Sequence, residues 1–188
     1  MIKRIAMERY ADLPEPVIEL LRSINPPKRL VAHLVLVHDV AAKLVKAIKR
    51  VYPDLQFDEQ AVLFGAATHD IGKALFPAEL VGPGSMHEER GAEVLKGFGF
   101  PDSLARYTRT HASWKSPEVA IDDLLVSLAD KVWRGKRQED LEQILIYRMS
   151  LALSRPEWEV FASMDTLLSD LAADADGRLD WQSQFAAA

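Results

Sequence analysis

Cysteine is absent from all 188 residues. Neither a disulfide framework nor a Cys-ligated zinc or iron–sulfur site is therefore open to this chain, and any metal must rest on imidazole and carboxylate. No run approaches the roughly 20 apolar residues of a membrane-spanning helix. The stretch Met1 to Tyr10 carries charges at Lys3, Arg4, Glu8 and Arg9 and lacks the apolar core and small-residue cleavage site of a secretory signal, so a cytoplasmic location is expected. Positive charge is also short: 23 Lys and Arg against 28 Asp and Glu give a net charge of -5. That balance excludes an extended nucleic-acid surface, which needs a clustered positive field, and leaves room only for a small basic patch. Internal repeats, low-complexity tracts and alternating strand patterns are missing as well. Nothing in the sequence fixes an oligomeric state.

What is present is an ordinary globular composition, 48% hydrophobic and 27% charged, in a chain long enough for one domain with a buried core. The periodicity is helical nearly throughout. Leu13-Pro14-Glu15-Pro16 opens a short helix through Leu21, and Asn25-Pro26-Pro27 breaks it. A long helix is expected from about Lys28 to Val51, with apolar residues at three- and four-residue spacing. A third, Glu59 to about Asp70, is capped near Asp58, ended by Gly72, and apolar almost all round, which marks it as central. Phe76 to Gly84 reads as a loop, Ser85 to Glu88 as a capping box opening a helix to Gly97, and Asp102 as the cap of a short helix to His111. Further helices are expected over Pro117–Trp133, Glu139–Leu153 and Pro156–Ala173, followed by a loose tail over 176–188. The expectation is a single all-α domain of seven or eight helices over 1–188, with a core at about 28–137 and covering helices at about 138–175.

Two acidic residues sit where acids are costly. Asp70 follows the small, apolar run Gly65-Ala66-Ala67-Thr68-His69, and Asp130 closes Leu124-Leu125-Val126-Ser127-Leu128-Ala129. An ionised carboxylate on such a face must be paired or bound to a cation. Asp70 alone could accept hydrogen bonds at a helix end, and Asp130 could pair with Lys131 or Arg134; together they suggest a shared metal ion. Five histidines, His33, His38, His69, His87 and His111, are available as partners.

The order of these residues resembles the HD superfamily of metal-dependent phosphohydrolases. Arg29-Leu30-Val31-Ala32-His33, followed by Val37 and Ala41, resembles its first histidine segment. Thr68-His69-Asp70-Ile71-Gly72-Lys73 resembles its central motif, and Ser127-Leu128-Ala129-Asp130-Lys131 its closing aspartate; the likeness runs from about Lys28 to Arg137. His87 in Met86-His87-Glu88-Glu89-Arg90-Gly91 and His111 in Arg109-Thr110-His111 are similar to the histidines of the superfamily's two-metal form. The resemblance implies a helical HD-like fold. It also implies a first divalent metal on His33, His69, Asp70 and Asp130, with Asp70 bridging to a second on His87 and His111. Iron, manganese, nickel, cobalt, magnesium and zinc all suit such ligands. Two cations sharing a carboxylate lower the pKa of a bridging water and polarise phosphoryl oxygens.

His38 lies five residues from His33, about 140° round an ideal helix, so both cannot face one site. The spacing of Arg29, Val37 and Ala41 selects His33 by the resemblance, leaving His38 as a surface or supporting residue. By the same likeness Lys73 faces a substrate phosphate; otherwise it is a solvated lysine complementing a helix end. Lys115, Arg134, Lys136 and Arg137 follow ligand positions and are candidate phosphate contacts, of which Lys115 and Arg134 join Lys73 as expected substrate-binding residues, the alternative being a solvated charge run. Trp114 and Trp133 either stack on a base or pack in the core. The function implied is hydrolysis of a small phosphate ester, with a nucleotide as the expected substrate and Asp70 and Lys73 as catalytic groups. The cyclic-dinucleotide branch fits less well, because His111 is followed by Ala112-Ser113-Trp114 rather than a second histidine and a Gly-Tyr-Pro motif. A diiron oxygenase acting on a polyol or phosphonate, or a non-catalytic signalling domain, are the alternatives.

Overall fold

The computed structural model describes residues 9–186; residues 1–8, most of the stretch read for a targeting signal, and the last two alanines lie outside the described residues. The described chain is helical, with no strand among these residues. Eight helices have nine residues or more: α1 Glu15–Ile24, α2 Lys28–Val51, α3 Glu59–Thr68, α4 Met86–Gly97, α7 Ile121–Val132, α8 Glu139–Leu153, α9 Glu157–Ala173 and α10 Ala175–Ser183. Two four-residue pieces, α5 Asp102–Ala105 and α6 Tyr107–Thr110, sit between α4 and α7. None of the described helices is long and apolar enough to cross a membrane.

The long helix α2 starts where Pro26 and Pro27 stop α1 and ends at Tyr52, before Pro53. Every residue from Leu34 to Ala41 is buried, so α2 is central alongside α3, packing on α3, α7, α9 and α10. Helix α3 begins under an Asp58 cap that accepts the Ala61 N–H at 2.9 Å. It stops at Thr68, before Gly72, which instead falls in a 3-10 turn, Ile71–Ala74. The reason for glycine there is packing: a Cβ on Gly72 would lie 2.0 Å from the His87 carbonyl oxygen. The missing side chain lets α4 lie directly on the turn after His69-Asp70.

Three other expected boundaries move. The Ser85 side chain caps nothing; the start of α4 is capped by Glu79, which lies on a second 3-10 turn, Pro77–Leu80, within the expected loop. Asp102 lies inside α5 and binds Arg109 at 2.9 Å and Lys96 at 3.3 Å rather than capping. Helix α7 begins four residues after Pro117, because the carboxylate of Asp123 accepts the Ala120 N–H at 3.0 Å and fixes the first turn there.

The expected loose tail is a correction of a different kind, since most of it is α10. Its hydrophobic pattern is weak, and what docks it is a buried cation. Arg178 is 1% exposed and donates to the carbonyl oxygens of Trp133, Val132 (3.3 Å) and Leu171 (2.6 Å). Those carbonyls lie at the C-terminal ends of α7 and α9, where helices leave acceptors open; only that of Val132 has a second donor, the Gly135 N–H at 2.9 Å. Trp181 stacks edge-on against Tyr10 at 4.8 Å.

Candidate metal centre

The six expected ligand residues arrive on five helical segments and meet at one point. His33 and Asp130 project from the buried α2 and α7. His69 and Asp70 follow the last turn of α3, whose small residues Gly65, Ala66 and Ala67 let α2 and α7 approach. His87 comes from the first turn of α4 and His111 from the end of α6. Their donor atoms form two groups, His33, His69 and Asp130, and Asp70, His87 and His111, each with all ligand atoms within 4.8 Å of one another.

Asp70 divides its carboxylate between the groups. Its Oδ2 lies 3.1 Å from His33 Nε2 and 3.6 Å from His69 Nε2, while Oδ1 lies 3.1 Å from His87 Nε2 and 3.6 Å from His111 Nε2. Asp130 Oδ1 stands 3.5 Å from His33 Nε2 and 3.3 Å from His69 Nε2. The ring orientations follow from the other nitrogens. His69 Nδ1 faces the Ala66 carbonyl at 3.1 Å, and His111 Nδ1 faces those of Tyr107 and Thr108 at 3.2 and 3.0 Å. A carbonyl only accepts, so each Nδ1 donates and each Nε2 turns a lone pair inward.

These residues fit a metal on the evidence of their own packing. Asp70 Oδ1 and His87 Nε2 are buried and make no hydrogen bond, and the Nε2 atoms of His33 and His69 face each other at 3.2 Å. Buried acceptors left this way are costly unless a cation satisfies them. Protonation agrees. Burial pushes the His33 imidazolium below its usual range despite Asp70. Burial, with His69 beside it, takes His111 down to about 4. Burial alone would raise Asp70 and Asp130, but the surrounding imidazoles, and Lys131 at Asp130, hold both carboxyls well below the usual carboxylate range. Neutral imidazole and ionised carboxylate are the forms that bind metal.

The centre opens into a cavity of about 400 Å³ lined by Arg29, Lys73, Lys131, Trp133 and Arg134, by every expected ligand except His69, and by Leu80, Gly84, Glu88, Leu179 and Gln182. Lys73 donates to Asp70 Oδ2 and Lys131 to Asp130 Oδ2, both at 2.6 Å. Arg29 and Arg134 make no ion pair or side-chain hydrogen bond among the described residues, which leaves two uncommitted guanidinium groups facing the cavity.

A family model described as HD domain matches residues 30–149. The chain belongs to the HD-domain family. That family consists mostly of metal-dependent hydrolases and binds divalent metals. The chain is also 40% identical over 116 residues to the multifunctional CCA protein of Verminephrobacter eiseniae (strain EF01-2), an alignment covering 50% of this chain and 25% of that protein. It thus spans about a quarter of that relative's length. No solved structure matches. All six expected ligand residues fall within the HD-domain segment, whereas Leu179 and Gln182 on the cavity wall come from α10, beyond it.

Some expected contacts are not brought to the HD-domain centre. Lys115 is 72% exposed, is absent from the cavity wall and pairs with Asp140 at 2.8 Å. It lies in the turn after His111, and that turn carries it outward. Arg137 is held by Glu142 at 2.7 Å and Asp165 at 2.9 Å and braces α8 against α9. Trp133 is buried with its ring 5.2 Å from that of His33, so it packs the wall. His38 is not at the surface; it is buried, with Nδ1 3.1 Å from the Leu63 carbonyl and Nε2 3.1 Å from that of Asp12, tying the segment before α1 to α3. The residue that sequence reasoning missed is Glu79, whose Oε2 lies 2.6 Å from His87 Nδ1. Its one signal was an acid inside a segment rich in proline and glycine, eight residues before a candidate ligand.

Proposed function

We propose that this HD-domain chain is a phosphohydrolase using two divalent cations, acting on a small phosphate ester and most naturally a nucleotide. The observation that carries the reading is the division of Asp70: one oxygen directed at His33 and His69, the other at His87 and His111. When bound there, two cations would polarise the phosphoryl oxygens of an ester and lower the pKa of water between them. His33, His69 and Asp130 would hold one and His87 and His111 the other, with Asp70 shared.

The chain's own groups would then divide the work. Arg29 and Arg134, uncommitted and facing the cavity, suit the charge of a phosphate group. Lys73 orients Asp70 through its 2.6 Å contact and stands where a phosphoryl oxygen of the substrate would draw its ammonium. The fit to an anion rests on these cations, since the chain as a whole is acidic. Retention of all six donors supports catalysis over a purely scaffolding role.

The test is reconstitution of metal-stripped protein with manganese, cobalt or nickel, counting metal per chain and screening nucleotides and p-nitrophenyl phosphate esters for phosphate release. Two cations per chain with phosphate release is the expected result. Two irons with oxygen uptake and no phosphate release would replace hydrolysis by oxygenase chemistry, and full metal binding with neither activity would leave a scaffold.

A further inference from the structure

We propose that Glu79 is a positioning residue for His87, and that Glu79 and Gly84 together set the affinity of the metal position formed by Asp70, His87 and His111. The inference rests on the two-metal reading above. It comes from a difference among the inward-facing histidines. His69 and His111 are oriented by carbonyl oxygens of their own helical turns. His87 is oriented by a charged side chain from a separate turn.

One carboxylate makes three contacts there. Oε2 of Glu79 lies 2.6 Å from His87 Nδ1 and accepts the His87 backbone N–H at 3.2 Å, while Oε1 accepts the Met86 N–H at 3.2 Å. A carboxylate accepts, so Nδ1 donates to Glu79 and Nε2 is left facing Asp70 Oδ1, 3.1 Å away, as the atom free to bind a cation. Ring and backbone of the ligand are thus fixed by the same group, and a carboxylate partner strengthens imidazole as a donor more than a carbonyl does.

Gly84 makes room for this arrangement. A Cβ at position 84 would lie 2.4 Å from the Glu79 carboxyl, so any side chain there would push the carboxylate away from His87. The segment 77–84 therefore acts as a clamp on one ligand of one metal position. Among the described residues, no such carboxylate from a separate turn holds the ring of His33 or His69 through its Nδ1.

The experiment is a Co²⁺ titration of metal-stripped full-length protein, followed by visible absorbance and by cobalt content after desalting, with the thermal midpoint of each metal-free variant measured alongside. Wild-type protein should take up two cobalt ions in two steps. Glu79→Ala should weaken the second step about 10- to 100-fold and leave the first unchanged, with Glu79→Gln falling between. Gly84→Ala should weaken the same step although its carboxylate is intact. A wild-type protein that binds a single cobalt would overturn the two-metal reading and this proposal with it. Two wild-type ions with an unchanged second step in Glu79→Ala would overturn the proposal alone; a lowered thermal midpoint beside that unchanged step would reduce Glu79 to a helix cap.

Discussion

The two ligand groups of the centre are built by different means. His33 and Asp130 stand on helices buried along most of their length, and His69 follows a helix buried from Phe64 to Thr68. Moving any of them would disturb the main core. His87 stands in the first turn of α4 and His111 after the four-residue α6, and their placement depends on Gly72, Glu79 and a few carbonyl groups. The first group inherits its geometry from the fold, while the second is assembled locally. A locally assembled site is the easier one to tune, and also the easier one to lose.

The sharpest test of that contrast is Asp70, which belongs to both sides. Asp70→Ala should abolish binding of both cations, measured by elemental analysis, and reduce any phosphate release to background; retention of two ions would break the bridging arrangement. The single-side variants should separate. His33→Ala is expected to remove the first ion and, because Asp70 is shared, to weaken the second, whereas His111→Ala should lower the count from two to one and leave the first site intact. Equal effects would show that the two sides are not independent.

The comparison extends to the region that covers the centre. Arg178→Ala would leave the carbonyls of Trp133 and Leu171 without this donor, and a loss of about 3 kcal/mol is expected from chemical denaturation. Arg134→Ala should raise KM about tenfold for a phosphorylated substrate, the effect of losing one charge-assisted contact. Lys115→Ala should leave KM within about twofold, as befits an exposed pair outside the cavity. A KM effect at Lys115 as large as that at Arg134 would place the substrate differently.

Acidification gives the smallest and most diagnostic change. His33 and His111 are held below the usual histidine value by burial, His111 at about 4, so the unfolded chain binds these protons first. A lowered folded pKa contributes stability that is complete above the unfolded value of about 6.5 and is lost as pH falls toward 4. His87 works the other way, since Asp70 and Glu79 outweigh its burial and raise it. The metal-free protein should therefore lose stability modestly between pH 6.5 and 4.5 in urea titrations, and the metal-loaded protein more steeply, because protons also compete for the ligands. A metal-free protein that gained stability on acidification would contradict the neutral imidazoles assigned here.

Much of this was legible in the residues. Three- and four-residue apolar spacing marks α2, α3, α7, α8 and α9, and the acids at Asp70 and Asp130 stand out because helical apolar runs do not carry a charge without cause. His38 was only partly legible: its angle from His33 excluded it from the centre, but nothing local showed that it would be buried against two backbone carbonyls. Glu79 and α10 were not legible. Each depends on a partner far off in three dimensions or on the opposite side of a turn, and neither interaction leaves a periodic trace. Lys115 erred for the same reason, since proximity to His111 in sequence says nothing of which way a turn carries the side chain.

The sequence by itself determined the helical class and the absence of any sulfur ligand, because composition and periodicity act locally and survive in one dimension; the six imidazole and carboxylate groups were named by their likeness to a known family. Only the tertiary structure decided that Asp70 faces two ways, that Glu79 orients His87 in the space Gly84 leaves open, and that Arg178 fastens α10 beside the cavity. These are contacts between segments that the chain must fold to bring together, and their energies come from distance and burial rather than from residue order.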